Sequence, residues 1–139
     1  MRSLLFVPGD SPKKLDKAMS SGADALIVDL EDSVSTDRKA EARGIALGFL
    51  KEAGKSAARP RLLVRVNAIE TGLTDADLDG IMAGKPDAIM LPKAQGGASV
   101  AHFDAKLTAR EAIHGLPDGS TGILPIATEN AAAMFLMGT

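Results

Sequence analysis

The sequence predicts an α/β fold in which helices cover a parallel sheet. Five short apolar runs rich in Val, Ile and Leu occur along the chain, and a segment with helical periodicity follows each of them. Runs of this length that do not alternate polar and apolar residues are typical of strands buried on both faces. Strand–helix alternation of this kind produces a parallel sheet. The predicted strands are Ser3–Val7, Ala25–Leu30, Leu62–Val66, Ala88–Leu91 and Gly122–Ala127.

Capping residues indicate where the helices between these strands begin and end. The first helix, Pro12–Ser21, follows Ser11, a suitable N-cap, and has proline at its first position. The second helix, Asp37–Ala53, ends at a glycine. The third, Thr74–Ala83, opens with the sequence Thr-Asp-Ala-Asp, which is of the capping-box kind. The last two helices are predicted at Ser99–His114 and Ala131–Leu136.

Two architectures accommodate five strand–helix units. They can form a complete doubly wound open sheet, or slightly more than half of a (β/α)8 barrel, which typically needs about 250 residues. Periodicity does not distinguish between these two. In both, ligands bind at the carboxyl ends of the strands, so the residues that follow each strand are the candidates for a functional site.

Composition excludes several classes of protein. The 139 residues include 16 Lys and Arg and 18 Asp and Glu, and the resulting net charge of −2 removes the main argument for a nucleic-acid partner. The absence of cysteine excludes a disulfide framework and a thiolate metal site. No apolar run approaches the roughly 20 residues that span a membrane, and the apolar N-terminal stretch is too short for a signal peptide. We therefore expect one domain in the cytoplasm, without a membrane partner.

Carboxylates follow the second and fifth predicted strands. Asp29, Glu31 and Asp32 stand within four residues at the end of the second strand, and Glu129 follows the fifth. Crowded carboxylates repel one another unless a cation offsets their charge, and oxygen ligands suit a hard divalent cation. The alternative for both groups is a helix cap with solvated acids, since a helix follows each strand.

Cations follow the third and fourth predicted strands. Arg65 lies between two valines in an apolar run, where an unpaired buried charge is strongly unfavourable. Its partner is either internal, Glu31 or Asp32, or a substrate carboxylate that the guanidinium binds through two hydrogen bonds. Lys93 can bind an anion or form a Schiff base, although most lysines at loop starts are simply solvated. Together, the four strand ends suit Mg²⁺ and a carboxylate substrate.

A signalling module with a complete five-stranded sheet, such as a phospho-acceptor receiver, would fit the length of the chain better. It requires clustered acids after the first strand and an acceptor aspartate after the third. Here Pro8, Gly9 and Asp10 end the first strand, and Arg65 and Asn67 end the third. We therefore do not expect a receiver.

Several motifs in order along the chain resemble one known family, and their combination is specific although no single motif is. They are Arg2–Gly9 (RSLLFVPG), Lys17-Ala18, Gly22–Ala25 (GADA), Asp29–Asp32 (DLED), Lys39 with Ala42-Arg43, Val64–Asn67 (VRVN) and Leu91–Lys93 (LPK). From Arg2 to about Ala133, the chain resembles the citrate lyase β-subunit-like proteins of the HpcH/HpaI aldolase family.

The resemblance implies a (β/α)8 TIM barrel, of which residues 1–139 supply about the first five βα units as the N-terminal part of a single catalytic domain. It implies a carbon–carbon lyase or aldolase that depends on Mg²⁺ or another divalent cation. Substrates in the family are often CoA thioesters of hydroxy acids, such as citryl-, malyl- or citramalyl-CoA. The alternatives are a 2-oxo-hydroxy-acid aldolase, whose strand signature has His where Asp32 stands here, and a non-catalytic acyl-CoA-binding homologue. Family members are commonly homo-oligomers, trimers or hexamers.

The resemblance also implies roles for individual residues. Glu129 matches a metal carboxylate, and Arg65 matches the arginine that holds the substrate carboxylate or carbonyl. Glu31 and Asp32 match acids near the metal, which organise its waters and Arg65. These two acids and Arg65 are therefore the candidate catalytic residues.

Three further expectations follow from the resemblance. Arg2 and Lys93 match basic residues at the rim and, with Arg65, are the candidate substrate-binding residues. Asn130 stands where the family usually has Thr or Ser, which changes the helix cap. The second metal ligand is expected on the next strand, beyond Thr139, and a chain of five strands should expose a strand edge and its apolar inner face.

Overall fold

Five parallel strands in sequential order form the sheet of this protein, whose computed structural model describes residues 1–138. The strands are β1 (Leu4–Pro8), β2 (Ala25–Asp29), β3 (Arg61–Arg65), β4 (Ala88–Leu91) and β5 (Gly122–Pro125). Each strand pairs with the one before it in the chain, so the sheet order is β1-β2-β3-β4-β5. The five predicted strands are confirmed: β4 has the predicted bounds, and the ends of the other strands differ from the prediction by at most two residues.

An α-helix follows each strand, as predicted. The helices are α1 (Pro12–Ala18), α2 (Lys39–Ala53), α3 (Thr74–Ile81), α4 (Gly97–Ile113) and α5 (Ala131–Leu136). Single 3-10 turns precede α2 and α3, and another follows α3. None of the helices within residues 1–138 combines the length and the hydrophobicity that crossing a membrane requires.

The strand order distinguishes between the two predicted architectures. A doubly wound sheet reverses its order at a switch point and carries helices on both faces. Here the strands follow one another across the sheet in chain order, without a reversal. The buried residues of α1 to α4 all pack on one face of the sheet, against side chains such as Leu26, Val28 and Val64. The chain is therefore part of a (β/α)8 barrel with its helices outside, and not a receiver-like sheet.

The other face of the sheet corresponds to the interior of the barrel. Four apolar residues from the central strands form a buried cluster there: Ala25, Ile27, Leu63 and Met90. On the edge strands this face is open, since Leu4 is 42%, Phe6 47% and Leu124 36% exposed. The prediction that every strand is buried on both faces is therefore wrong for β1 and β5, because within residues 1–138 each has a neighbouring strand on one side only.

Side-chain caps at the helix starts confirm one prediction and overturn another. Ser11 Oγ accepts a hydrogen bond from the Lys14 amide at 3.4 Å and caps α1, as predicted. The predicted capping box at Thr74 is wrong, because the N-cap of α3 is Leu73, which makes no side-chain cap bond. Instead, Thr74 Oγ1 donates to the carbonyl oxygen of Asn67 at 2.9 Å. The hydroxyl thus stabilises the loop after β3 and does not cap the helix.

Gly9 allows the end of β1 to approach the end of β2. Its amide donates to the Asp29 carbonyl oxygen at 2.8 Å. A Cβ on Gly9 would lie 2.8 Å from the same oxygen and 2.9 Å from Leu30 Cδ2. Because the oxygen belongs to the backbone, it could move away only if the end of β2 moved with it.

We expect Gly9→Ala to lower the free energy of unfolding by about 1–3 kcal/mol, because the added methyl group overpacks this contact. Gly48→Ala is the matched control: Gly48 lies in α2, and a Cβ there would meet nothing within 4 Å. Helix propensity alone should make that variant more stable by about 0.5–1 kcal/mol. Urea unfolding of both variants beside the wild type measures the difference, and shifts of the same sign would contradict the close approach.

Candidate functional site

The carboxylate of Asp29 and the guanidinium of Arg65 form a bidentate ion pair between β2 and β3. The two are the last residues of their strands and are directly paired in the register. Arg65 Nε donates to Asp29 Oδ1 at 2.8 Å, and Nη2 donates to Oδ2 at 2.7 Å. The Arg65 side chain is 12% exposed and the Asp29 side chain is 2% exposed. Two parallel hydrogen bonds fix the plane of the guanidinium, and the Phe6 ring centroid lies 4.8 Å from Arg65 Cζ.

Asp29 also organises the loop that follows β2. Its Oδ1 accepts from the Glu31 amide at 2.9 Å, and Oδ2 accepts from the Ser33 amide at 3.0 Å and from the Ser33 hydroxyl. Burial by itself raises the pKa of Asp29, but hydrogen bonds from Arg65, Ser33 and the Glu31 amide outweigh it and hold this pKa below its ordinary value. The ionised carboxylate therefore turns the chain so that Glu31 lies beside Arg65.

Glu31 is a buried carboxylate between two cations. Its Oε1 lies 3.3 Å from Arg65 Nη1, its Oε2 lies 3.3 Å from Lys93 Nζ, and the side chain is 5% exposed. Burial raises the pKa of Glu31 above its ordinary value, since the lowering effects of Arg65 and Lys93 do not offset it and the charge of Asp32 adds to the rise. Within residues 1–138, Oε1 has no hydrogen-bond partner. It is thus free to hold a proton or to accept a hydrogen bond from a ligand.

Lys93 connects Glu31 to Glu129. Its Nζ donates to Glu31 Oε2 at 3.3 Å, and its backbone amide donates to Glu129 Oε2 at 2.7 Å. Hydrogen bonding to Glu31 raises the pKa of Lys93, which remains a cation. The alternative that Glu129 caps α5 is wrong, because the N-cap is Asn130, whose Oδ1 accepts from the Ala133 amide at 2.8 Å. The Glu129 carboxylate is instead directed to the loop after β4.

A cleft of about 290 Å³ opens beside Glu31 and Lys93 at the carboxyl ends of β2, β3 and β4. The residues that line it are Glu31, Asp32, Val34, Ser35, Thr36, Lys39, Asn67, Thr71 and Lys93. Asp32 is exposed there and makes no hydrogen bond or ion pair with any other described residue. The walls therefore present both acidic and basic groups to a ligand.

Hydrogen bonds from behind the cleft fix the loop that carries Glu31. Lys39 Nζ donates to the carbonyl oxygens of Leu30 and Glu31, at 2.9 Å each. Asn67 Nδ2 donates to the Leu30 carbonyl at 3.0 Å and to Asp77 Oδ2 at 2.7 Å. Because Asp77 is fully buried in α3, this network ties the loop after β2 to the helix layer.

Five of the six predicted site residues lie at one edge of the sheet. These are Arg65, Glu31, Lys93 and Glu129, linked in that order, and Asp32 on the same loop as Glu31. The sixth, Arg2, lies elsewhere. Its amide donates to the carboxylate of Asp24, immediately before β2, so Arg2 stands at the amino ends of the strands. The prediction that Arg2 lies at the same rim as the site is therefore wrong. Arg2 precedes β1, whereas the site residues lie at the carboxyl ends of the strands, at the opposite edge of the sheet.

The main partner of Arg65 differs from the one that the sequence predicts. Glu31 and Asp32 are the predicted partners, and Glu31 does lie near, but the bidentate partner is Asp29. The signal in the sequence is that Asp29 and Arg65 end consecutive strands. The predicted strands end one residue later, at Leu30 and Val66, so the prediction does not show that Asp29 and Arg65 are both strand-terminal residues.

Comparison with known proteins identifies the family to which the chain belongs. A profile described as HpcH/HpaI aldolase/citrate lyase matches residues 2–135. The chain belongs to this family. It is 40% identical over 99 residues to a (3S)-malyl-CoA thioesterase of Cereibacter sphaeroides, which covers 71% of the chain and 34% of that protein. It is 32% identical over 109 residues to the mitochondrial citramalyl-CoA lyase of Rattus norvegicus, covering 77% of the chain and 32% of the lyase.

The chain therefore spans about a third of the length of these curated relatives. Among solved structures, a citrate lyase beta subunit from M. tuberculosis complexed with oxaloacetate and magnesium superposes with a TM-score of 0.64 and 30% identity, over 95% of this chain and 60% of that one. The magnesium/glyoxylate complex of Haloferax volcanii malate synthase superposes with a TM-score of 0.84 over 99% of this chain and 45% of that one. At 22% identity, the second likeness concerns the fold alone. The predicted family and the partial barrel are confirmed, and the chain is related to lyases and to enzymes of CoA esters.

The donors in the site fit part of a divalent-cation site. Glu129 is exposed and, within residues 1–138, its carboxylate accepts one hydrogen bond, from the Lys93 amide, so other lone pairs remain to bind a cation. The buried Oε1 of Glu31 has no hydrogen-bond partner among the described residues, although Arg65 Nη1 lies 3.3 Å away. Oxygen donors of this kind suit a hard cation. In the described part of the chain, however, no three His, Asp or Glu side chains are grouped closely enough to hold a metal by themselves.

We expect Asp29 and Glu31 to affect stability with opposite pH dependence. Folding lowers the pKa of Asp29, so this residue stabilises the fold above its unfolded pKa of about 3.9, and the contribution is lost as the pH falls through the folded value. Folding raises the pKa of Glu31, so its ionisation opposes folding as the pH rises above the unfolded value of about 4.3.

Urea unfolding in EDTA, at about pH 3 to 7, measures these effects. The loss caused by Asp29→Asn should be smaller in acid than at neutral pH. Glu31→Gln should become more stable relative to wild type as the pH rises. Glu52→Gln, at an exposed position of α2, is the control. Parallel trends for the Asp29 and Glu31 variants would contradict the opposite pKa shifts.

Proposed function

We propose that this chain supplies substrate- and metal-binding residues of a metal-dependent carbon–carbon lyase. The substrate class is a CoA thioester of a hydroxy acid, of the citryl-, malyl- or citramalyl-CoA type, and the cleavage is of the retro-aldol or retro-Claisen kind. One observation carries the proposal: Arg65, Glu31, Lys93 and Glu129 are linked by successive contacts at the carboxyl ends of the strands. The relatives named for malyl-CoA and citramalyl-CoA support the thioester, and the magnesium-bound neighbour supports the metal.

Arg65 is the group that would bind the anionic or carbonyl end of the substrate. A guanidinium has five N–H donors, and Asp29 accepts from two of them, one on Nε and one on Nη2. The remaining donors make no hydrogen bond within residues 1–138, and Nη1 lies 3.3 Å from Glu31 Oε1, which has no hydrogen-bond partner there. These N–H groups can bind a substrate oxygen and offset the negative charge that develops on it as the carbon–carbon bond breaks.

Glu31 is our first candidate for the group that takes the substrate hydroxyl proton. It is buried, its Oε1 has no hydrogen-bond partner among the described residues, and burial raises its pKa towards the range in which a carboxylate is an effective general base. The neighbouring N–H groups of Arg65 would place a substrate oxygen beside it. Asp32, exposed in the same cleft, is the second candidate.

Glu129 would hold the divalent cation, together with ligands from outside the described residues. Mg²⁺ or another divalent cation, when bound, would act as a Lewis acid on a substrate oxygen. Lys93 holds the Glu129 carboxylate beside the loop after β4 through its backbone amide. A cytoplasmic location and a trimeric or hexameric assembly remain predictions.

An assay of the full-length protein that carries this chain tests the proposal. Malyl-, citramalyl- and citryl-CoA and a set of 2-oxo-hydroxy acids are offered with EDTA and then with excess Mg²⁺. We expect cleavage of a thioester that is lost in EDTA and restored by Mg²⁺. Cleavage of the 2-oxo acids alone would place the protein in the aldolase branch, and binding without turnover would make it a non-catalytic acyl-CoA-binding homologue.

We expect Glu129→Ala to abolish the Mg²⁺-dependent turnover and to weaken Mn²⁺ binding by about tenfold or more, because it removes a ligand. Electron paramagnetic resonance titration measures free Mn²⁺ independently of activity. Glu52→Ala is the matched control, since Glu52 is exposed on α2 and its carboxylate pairs with Lys55 alone among the residues that the structure describes. It should leave turnover and Mn²⁺ affinity unchanged. Wild-type turnover that persists in EDTA would contradict the metal role.

A further inference from the structure

We propose that Lys93 is a positioning residue, which sets the arrangement of Glu31 and Glu129 through two different donors, and is not a ligand for the substrate. This inference rests on the proposed function. Its Nζ donates to Glu31 Oε2 at 3.3 Å, and its backbone amide donates to Glu129 Oε2 at 2.7 Å. Glu31 follows β2 and Glu129 follows β5, so two strands separate the carboxylates that this one residue joins.

The backbone conformation of Lys93 makes the double contact possible. Its φ of 54° lies in the left-handed region, which a residue with a Cβ adopts reluctantly. On either side of it the chain remains paired with the segment after β5: the Ile126 amide donates to the Leu91 carbonyl at 2.9 Å, and the Ala94 amide donates to the Ile126 carbonyl at 3.0 Å. The left-handed turn thus directs the Lys93 amide to Glu129 and away from the strand ladder.

Each carboxylate depends on Lys93 in its own way. Oε2 of Glu31 has Lys93 Nζ as its partner, so this contact needs the ammonium. Oε2 of Glu129 accepts from the backbone amide, so that contact needs the left-handed backbone and not the charge. Substitutions that change the charge and the backbone preference separately can therefore distinguish the two contacts.

Four variants of the full-length protein separate these contributions. Lys93→Gly favours the left-handed conformation, Lys93→Gln disfavours it about as much as lysine does, and Lys93→Val, which is β-branched, disfavours it more. All three lack the charge, which Lys93→Arg retains. We expect the melting temperature to fall in the order Gly, Gln, Val, because a glycine relieves the unfavourable backbone conformation.

Metal binding and kinetics report on the two carboxylates. Mn²⁺ affinity, measured by electron paramagnetic resonance titration, should stay within about threefold of wild type for Lys93→Gly and Lys93→Gln, and weaken about tenfold or more for Lys93→Val. With the thioester that the wild type cleaves, kcat should fall about tenfold or more in both Lys93→Gly and Lys93→Gln, while KM stays within about threefold. Lys93→Arg retains the charge, so its kcat should stay within about threefold of wild type.

Three results would overturn the inference. A rise in KM with unchanged kcat in Lys93→Gln would make Lys93 a substrate ligand. Equal melting temperatures and Mn²⁺ affinities for Lys93→Val and Lys93→Gln would show that the backbone does not hold Glu129. If Lys93→Val does not fold, the comparison uses the other two variants: a lower melting temperature for Lys93→Gly than for Lys93→Gln would also show that the left-handed backbone does not hold Glu129. Failure of the wild type on every substrate would instead refute the proposed function, and the melting and Mn²⁺ series would still test Lys93.

Discussion

The ion pair between Asp29 and Arg65 is the interaction on which the candidate site depends. It joins the last residues of two central strands, so the register of the sheet sets its position. Asp29 orders the loop that brings Glu31 to Arg65, Glu31 contacts Lys93, and Lys93 holds Glu129. Because a single buried charge without its partner is strongly unfavourable, neither member can be lost alone without disturbing this series of contacts.

The fold class and the order of elements could be predicted from the sequence, because the length of apolar runs and helical periodicity are local properties. The choice between a barrel and a doubly wound sheet could not, since it depends on which strands are neighbours. Family resemblance indicated the barrel, and the sequential strand order confirms it. The capping box at Thr74 failed for a related reason: the carbonyl of Asn67, near in space, takes the hydroxyl hydrogen bond.

The site could be predicted where its residues directly follow a strand. Arg65, Glu31, Lys93 and Glu129 lie together because parallel strands bring their carboxyl ends to one edge. The prediction failed where geometry across strands decides: the bidentate partner of Arg65 is its register neighbour Asp29, and Arg2 lies at the opposite edge because it precedes its strand. Two features have no signal in the sequence: the missing hydrogen-bond partner of Glu31 Oε1 among the described residues, and the left-handed backbone of Lys93.

A double-mutant cycle of Asp29→Asn and Arg65→Met tests the central ion pair most directly. The free energy of unfolding of the full-length protein is measured for the wild type, both single variants and the double variant at neutral pH. Each single variant leaves one member of the pair buried without the other, whereas the double variant removes both charges. Glu31 loses the contact with Arg65 in both variants that lack the arginine, so that loss cancels in the cycle. We therefore expect a coupling energy of about 2–3 kcal/mol. Effects that add to within about 0.5 kcal/mol would contradict the dependence of the site on this pair.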